Sequence, residues 1–280
     1  MRLTTKIISG VIGSIFILSL SFIIGFSFSE RRHYRNYNRT PNISIPQDNQ
    51  IEISLDPHRV IVIEEDYNGV RFEDEKRRGT MRINTGINSS SFTISQIVPD
   101  QENKLYISEA LNGCIATIIH NDTLTIQIKD QELRKKYGKE DSITFISFSG
   151  VDLCLHISNV NIINKASGSV FLNNLETDSI VIDSRRDVLI ESCKANFIHS
   201  FNNRLTVKNS VTKTMFIDLD RTRNWNIEGC EIENQIFTGS GRHNVTMHRN
   251  ETGTINWHPK NPDAELNFKI PGEPIQIVFQ

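Results

Sequence analysis

The chain is short of nearly everything that announces a chemistry. Its four cysteines, Cys114, Cys154, Cys193 and Cys230, match no zinc-ligand spacing and set no clear disulfide framework. It has no glycine-rich phosphate loop, no Gly-x-Ser-x-Gly and no His-Glu-x-x-His, the common signatures of nucleotide binding, serine hydrolysis and zinc proteolysis. Neither sign of charge is in excess: 31 Lys and Arg against 33 Asp and Glu leave −2, so no global field draws the protein to nucleic acid. Beyond residue 28 no segment sustains a long helical period, so the remainder is expected to be nearly all β.

What the chain does have is a repeat of apolar, any, apolar, polar, turn-former. It reads Leu155-His156-Ile157-Ser158-Asn159, Val170-Phe171-Leu172-Asn173-Asn174, Val188-Leu189-Ile190-Glu191-Ser192, Leu205-Thr206-Val207-Lys208-Asn209, Trp225-Asn226-Ile227-Glu228-Gly229 and Val245-Thr246-Met247-His248-Arg249. The third positions are 15, 18, 17, 20 and 20 residues apart. A period near 20 describes a parallel β-solenoid, whose coils bury their apolar faces only against neighbours. Residues two apart share a face, so the first and third columns stack as two inward rows. The polar column from Ser158 to His248 faces out, and Asn159, Asn174, Ser192, Asn209 and Gly229 form a bend column, where left-handed backbone is tolerated. Second strands are expected at Ile180–Ile182, Phe197–Ile198, Met215–Ile217, Ile236–Phe237 and Ile255–Trp257. Cys193 and Cys230 fall in one column two coils apart, roughly 10 Å, beyond disulfide reach. Trp225 and Trp257 lie in apolar columns and read as core.

The ends differ from this middle. Residues 7–28 carry no charge over 22 positions, which as a helix span roughly 33 Å, enough to cross a bilayer core. Residues 1–29 therefore read as a signal anchor with one N-terminal transmembrane helix, since Ser27-Phe28-Ser29 is a poor cleavage site. Residues 30–42, with Arg31, Arg32, Arg35 and Arg39, form a basic linker, and by the positive-inside rule that flank favours a cytoplasmic location for the β-rich remainder of the chain. Residues 43–150 alternate short strands and turns, with a hairpin at Ile115–Ile119 and Leu124–Ile128 and a loop or single helical turn at 131–141. Residues 151–258 hold the coils, and 259–280 read as a C-terminal cap in which Leu266–Phe279 cover the open end.

The segment Cys114-Ile115-Ala116-Thr117-Ile118-Ile119-His120-Asn121-Asp122-Thr123-Leu124-Thr125-Ile126, with the coil repeats after it, resembles the membrane-anchored β-solenoid proteins of Bacteroidetes classed as auto-transporter adhesins with a head GIN domain. The resemblance implies an extracytoplasmic β-solenoid anchored in the inner membrane, and no catalytic residues transfer from it; the fold expected is a right-handed parallel β-helix, and no metal or cofactor is expected. The chain departs from it in lacking a lipobox cysteine after the apolar run and in its basic flank.

Three functions are expected of such a chain. The first is a non-enzymatic adhesin-like binding or scaffold module, tethered to the membrane by its N-terminal helix, with a cell-envelope glycan or protein as partner and no role for nucleic acid. The second is a cytoplasmic membrane scaffold similar to the bactofilins, β-helices that polymerise end to end. The third is a polysaccharide lyase or hydrolase. After the second strands come Asp183, His199 and Asp218, and if they stacked in one column at about 4.8 Å, two carboxylates and a histidine could supply acid and base. That column is the candidate site, although turns are rich in Asp for local hydrogen bonding alone.

Overall fold

The computed structural model describes residues 43–45, 49–66, 86–96, 102–137, 145–155, 159–246 and 252–269. The expected anchor at 1–29 and linker at 30–42 lie outside them, and no helix among the described residues is long and apolar enough to cross a membrane. The first strands are β1 (Ile43–Ile45), β2 (Gln50–Leu55), β3 (Val60–Glu65), β4 (Gly86–Gln96), β5 (Asn103–Ser108), β6 (Ile115–His120), β7 (Thr123–Ile128), β8 (Phe145–Leu155) and β9 (Asn159–Asn164). The coils then lay down β10 (Ser169–Asn173), β11 (Glu176–Ser184), β12 (Asp187–Glu191), β13 (Lys194–Phe201), β14 (Arg204–Lys208), β15 (Val211–Asp218), β16 (Asn224–Glu228), β17 (Glu231–Gly239), β18 (Arg242–Thr246), β19 (Thr252–Pro259) and β20 (Glu265–Lys269). A short helix, Asp130–Tyr137, stands in place of the expected charged loop or turn.

From β7 to β17 successive strands alternate between two large, mainly parallel sheets, so each pair makes one coil, and β18 pairs with β20 in a small parallel sheet of their own. The first sheet runs β16-β14-β12-β10-β4-β8-β5-β2, with β1 added on β8; the second runs β19-β17-β15-β13-β11-β9-β3-β7-β6. Antiparallel pairing is confined, among the described residues, to β2 with β5, β5 with β8 and the hairpin β6–β7. In the first sheet Val170, Val188, Leu205 and Trp225 are in register, as are Leu172, Ile190, Val207 and Ile227. Burying each aliphatic side chain in these rows contributes about 1.5–3 kcal/mol relative to exposure, which makes neighbouring coils mutually necessary. Asn173, Glu191, Lys208 and Glu228 form the outward polar row, with Lys208 Nζ 3.7 Å from Glu228.

The bend column follows the pattern for four of its five members. Asn174, Ser192, Asn209 and Gly229 have φ of 54°, 54°, 47° and 64°. This left-handed turn aims the N–H of Asn174, Ser192 and Asn209 at the carbonyls of Glu191, Lys208 and Glu228 one coil on, at 3.1, 3.0 and 2.9 Å. Next comes the small buried column Leu175, Cys193, Ser210 and Cys230, where the cysteines are free and the Cys193 and Cys230 thiols donate to the carbonyls of Glu191 and Glu228. Burial pushes the Cys193 thiol up from its ordinary pKa.

The first repeat is placed differently from expectation. Asn159 begins β9, and Leu155 closes β8, so neither occupies the expected column. The row instead passes from Val170 and Leu172 to Phe92 and Ile94 of β4, and only then to Val151 and Leu153 of β8. A shift of four residues preserves side-chain parity, so Val151-x-Leu153 and Leu155-x-Ile157 carry the same apolar alternation in sequence, and only the partner strand chooses between them. The boundary expected at 150 and 151 falls inside β8. Accepting β4 requires two register shifts, one between Ile87 and Ser89 and one between Ser90 and Phe92, with Gly150 at φ 85° in the second. At the far end Val245 pairs with Phe268 in β20, while Met247, His248 and Arg249 lie outside the described residues.

Both ends of the core are covered. Leu133 of the helix is fully buried, and the Tyr137 hydroxyl donates to the Ala110 carbonyl at 2.5 Å. At the other end Phe268 packs against Phe237 with ring centroids 5.8 Å apart, and Trp225, Trp257 and Leu266 are partly buried against the same core.

Candidate binding face on the second sheet

Alternation along a strand dictates that one residue in two leaves the core. In the second sheet the inward row is Val160, Ile180, Ile198, Met215, Gln235 and Ile255, and the adjacent outward row is Asn161, Val181, His199, Phe216, Ile236 and Asn256. The middle of that outward row is apolar, although it points away from the core. Phe197 and Phe201 flank His199 on the same face of β13, and all these rings are half-buried.

The rings pack on one another. The His199 imidazole lies 3.9 Å from Phe201, 4.2 Å from Phe216 and 5.8 Å from Phe197, centroid to centroid. Arg221 places its guanidinium 5.1 Å over the Phe201 ring and its Nη2 2.5 Å from Asp183 Oδ1. The result is a continuous ridge, Asp183–Arg221–Phe201–His199–Phe216. Burial pushes the His199 pKa below its ordinary 6.5, with the nearby Asp218 charge opposing, and Nε2 has no partner among the described residues.

Beside the ridge, a second group ties three coils together. Asp220, Ser240 and Lys260 recur at intervals of 20 residues, with Asp218 two residues before Asp220, and Lys260 Nζ donates to Asp218 Oδ1, Asp218 Oδ2 and Asp220 Oδ2, each at 2.8 Å. Asp220 Oδ1 accepts from the Ser240 N–H at 2.9 Å and meets His243 Nε2 at 3.2 Å. Burial alone would raise the Asp220 pKa, but the Lys260 ammonium and the Ser240 N–H outweigh it and hold the carboxyl at about 2. A pKa depressed from 3.8 means stability that is complete above pH 3.8 and is lost as pH falls toward about 2. The acid limb of thermal unfolding between those pH values is therefore expected to be shallower in Asp220→Asn than in the unaltered protein.

The expected column of Asp183, His199 and Asp218 does not form. Asp183 pairs in register with Phe201, whereas His199 pairs with Val181 and Phe216. The strands are offset because β13 enters its turn two residues beyond His199, so equal distance from the repeat is not equal height in the sheet. The three residues still share one neighbourhood, but Asp183 is held by Arg221, Asp218 by Lys260, and the imidazole is wedged among phenyl rings. Among the described residues neither carboxylate hydrogen-bonds His199, whose Nε2 has no partner.

Phe201, Phe216 and Ile236 are the residues that the column argument passes over. For Phe216 and Ile236 the signal is present in Met215-Phe216-Ile217 and Gln235-Ile236-Phe237, where an apolar side chain occupies the position that alternation sends outward.

Fold and site together define a coiled, nearly all-β protein carrying an aromatic ridge on one sheet face. No family model matches the chain, and no curated protein matches it. Among solved structures the chain is similar to a candidate lipid-binding protein from Parabacteroides distasonis, at 12% identity over 82% of this chain and 96% of that one, TM-score 0.39. It is also similar to a candidate adhesin from the same species, at 13% identity over 82% and 98%, TM-score 0.34. A candidate adhesin from Parabacteroides merdae is 11% identical over 82% and 96%, TM-score 0.29. Likeness at this level carries no argument about activity.

Proposed function

We propose that the protein is a non-enzymatic, adhesin-like binding module: a right-handed parallel β-solenoid tethered to the inner membrane by residues 7–28, with its β part outside the cytoplasm. One observation carries the binding role, the outward ridge of Phe197, His199, Phe201 and Phe216, which the fold does not use as core. Supporting the absence of catalysis, the groups that would do acid–base work are engaged in ion pairs or enclosed by rings. Placement rests on the uncharged N-terminal run, against which the arginine flank argues. A reporter active only outside the cytoplasm, fused to the C-terminus, tests placement; activity of a cytoplasm-only reporter instead would overturn it.

Binding is tested with the full chain in detergent on isolated cell envelopes. Phe216→Ala is expected to abolish most of the association, while Phe171→Ala, on the outer face of the first sheet, leaves it intact. Equal loss in both variants, or in neither, sinks the ridge as the binding surface.

A scaffold assembling end to end is the second reading. What favours it is the edge strand β6, which among the described residues pairs only with β7 and exposes Ile118 at 45% and Ile119 at 53%. Sedimentation of the full chain separates the two, with discrete small species speaking for the binding module and long polymers for the scaffold.

A further inference from the structure

The geometry points to a neutral polysaccharide, laid along the coil axis over the ridge, as the ligand of this face; the inference rests on the binding reading above. Its first support is linearity. The row Asn161, Val181, His199, Phe216, Ile236 and Asn256 takes one residue from each of six consecutive strands. At about 4.8 Å per strand that row is roughly 24 Å long, a track for a polymer more than a pocket for a small molecule. Beside it runs Ser179, Phe197, Thr214, Asn234 and Thr254, again one residue per strand.

The second support is the chemistry of the two rows. Rings and aliphatic groups occupy the centre, and amides and hydroxyls surround them. The side-chain amides of Asn161, Asn234 and Asn256 make no hydrogen bond to any described residue, and each offers donors and an acceptor. A pyranose has the matching character, a flat face of C–H groups bordered by hydroxyls. Aromatic faces take the first and amides the second, with the polar groups fixing orientation.

Charge excludes the competitors. Neither row contains a charged residue. On one flank Arg221 is held by Asp183 and Lys260 by Asp218 and Asp220; the other flank runs Asp178, Asn196, Lys213 and Glu233, with a single cation between two acids. An anionic polymer or an acidic lipid surface needs a field of uncommitted cations, which this face does not supply.

The test uses the full chain in detergent against immobilised β-1,4-glucan, β-1,3-glucan, xylan and mannan, with polygalacturonate and phosphatidylglycerol vesicles as anionic probes. Saturable binding to at least one neutral polymer is expected, insensitive to added salt. Phe216→Ala and Asn234→Ala should each weaken it about tenfold, as for central contacts in an interface, and Phe171→Ala should not. Binding to none of the neutral polymers, binding only to the anionic probes, or binding unchanged in Phe216→Ala overturns the proposal. The two readings fail separately. If envelope association depends on Phe216 but no neutral polymer binds or competes, the glycan falls and the binding module stands. If envelope association ignores Phe216, the binding reading itself falls.

Discussion

Phe92→Ala is expected to destabilise the protein by about 3–5 kcal/mol, read as a fall in the urea midpoint. Phe92 is fully buried on β4, in register with Val151 on one side and Val170 on the other, and meets Phe148 edge to face at 6.3 Å. In the first sheet β4 is what joins β8 to β10, so its central ring holds the N-terminal strands to the coils. The cavity left by alanine would lie between two sheets of paired strands whose backbone hydrogen bonds resist collapse, which places the cost toward the upper part of the range. Limited proteolysis should then open the N-terminal strands before the coils. Phe171→Ala, one strand away but half-buried on the outer face, serves as the control and should cost far less. Equal effects from the two would mean that β4 is not the joint.

The second large effect is expected from Gly168→Ala. A Cβ there would lie 2.1 Å from Ser90 Oγ, 2.5 Å from Phe92 Cε2 and 2.9 Å from the Ser90 carbonyl oxygen. The hydroxyl could rotate, but the carbonyl belongs to β4 and the phenyl ring is enclosed. Asn164 also pins the Gly168 carbonyl through a 2.7 Å hydrogen bond, so the turn cannot retreat. Overpacking of this kind costs about 1–3 kcal/mol, and contact with backbone places it at the upper end. Ser90→Gly in the same chain should recover part of the loss, a coupling that a double-mutant cycle measures. Gly241→Ala has open space, its nearest contact being His243 Nε2 at 4.0 Å, and should be nearly neutral. Equal tolerance at both glycines would refute the close approach of the 168 turn to β4.

Both effects fall on the joint at β4, where sequence pattern and structure differ. The columns from Val170 to Ile227 are legible because each coil repeats the same local instruction: two inward apolar residues, one outward polar residue and a bend with positive φ at Asn174, Ser192, Asn209 and Gly229. Nothing local says that Phe92-x-Ile94, from a strand far earlier in the chain, enters the stack between Leu153 and Leu172. Its apolar alternation is the same as that of the coils, and a strand carries no mark of which edge it will join.

The site divides in the same way. Asp183, His199 and Asp218 are recognisable as neighbours because the repeat period brings their segments together, but their roles depend on which long side chains reach them from other coils. Arg221 comes from 38 residues away to Asp183, and Lys260 from 42 residues away to Asp218. Those reaches turn an apparent acid–base set into two neutralised pairs beside an aromatic ridge.

By itself, then, the sequence determined that the chain is β-rich and coiled, which residues face inward within each coil, and where the backbone must bend. These are matters of side-chain parity and allowed φ, settled over five residues at a time. Tertiary structure alone decided the order of strands across the N-terminal joint, the height at which each side chain stands in the sheet, and the pairing of every charge at the ridge. Those depend on contacts between segments tens of residues apart, where many registers satisfy the same alternation and only the packing of Gly168 against Ser90 and Phe92, or the reach of Lys260 across three coils, selects one.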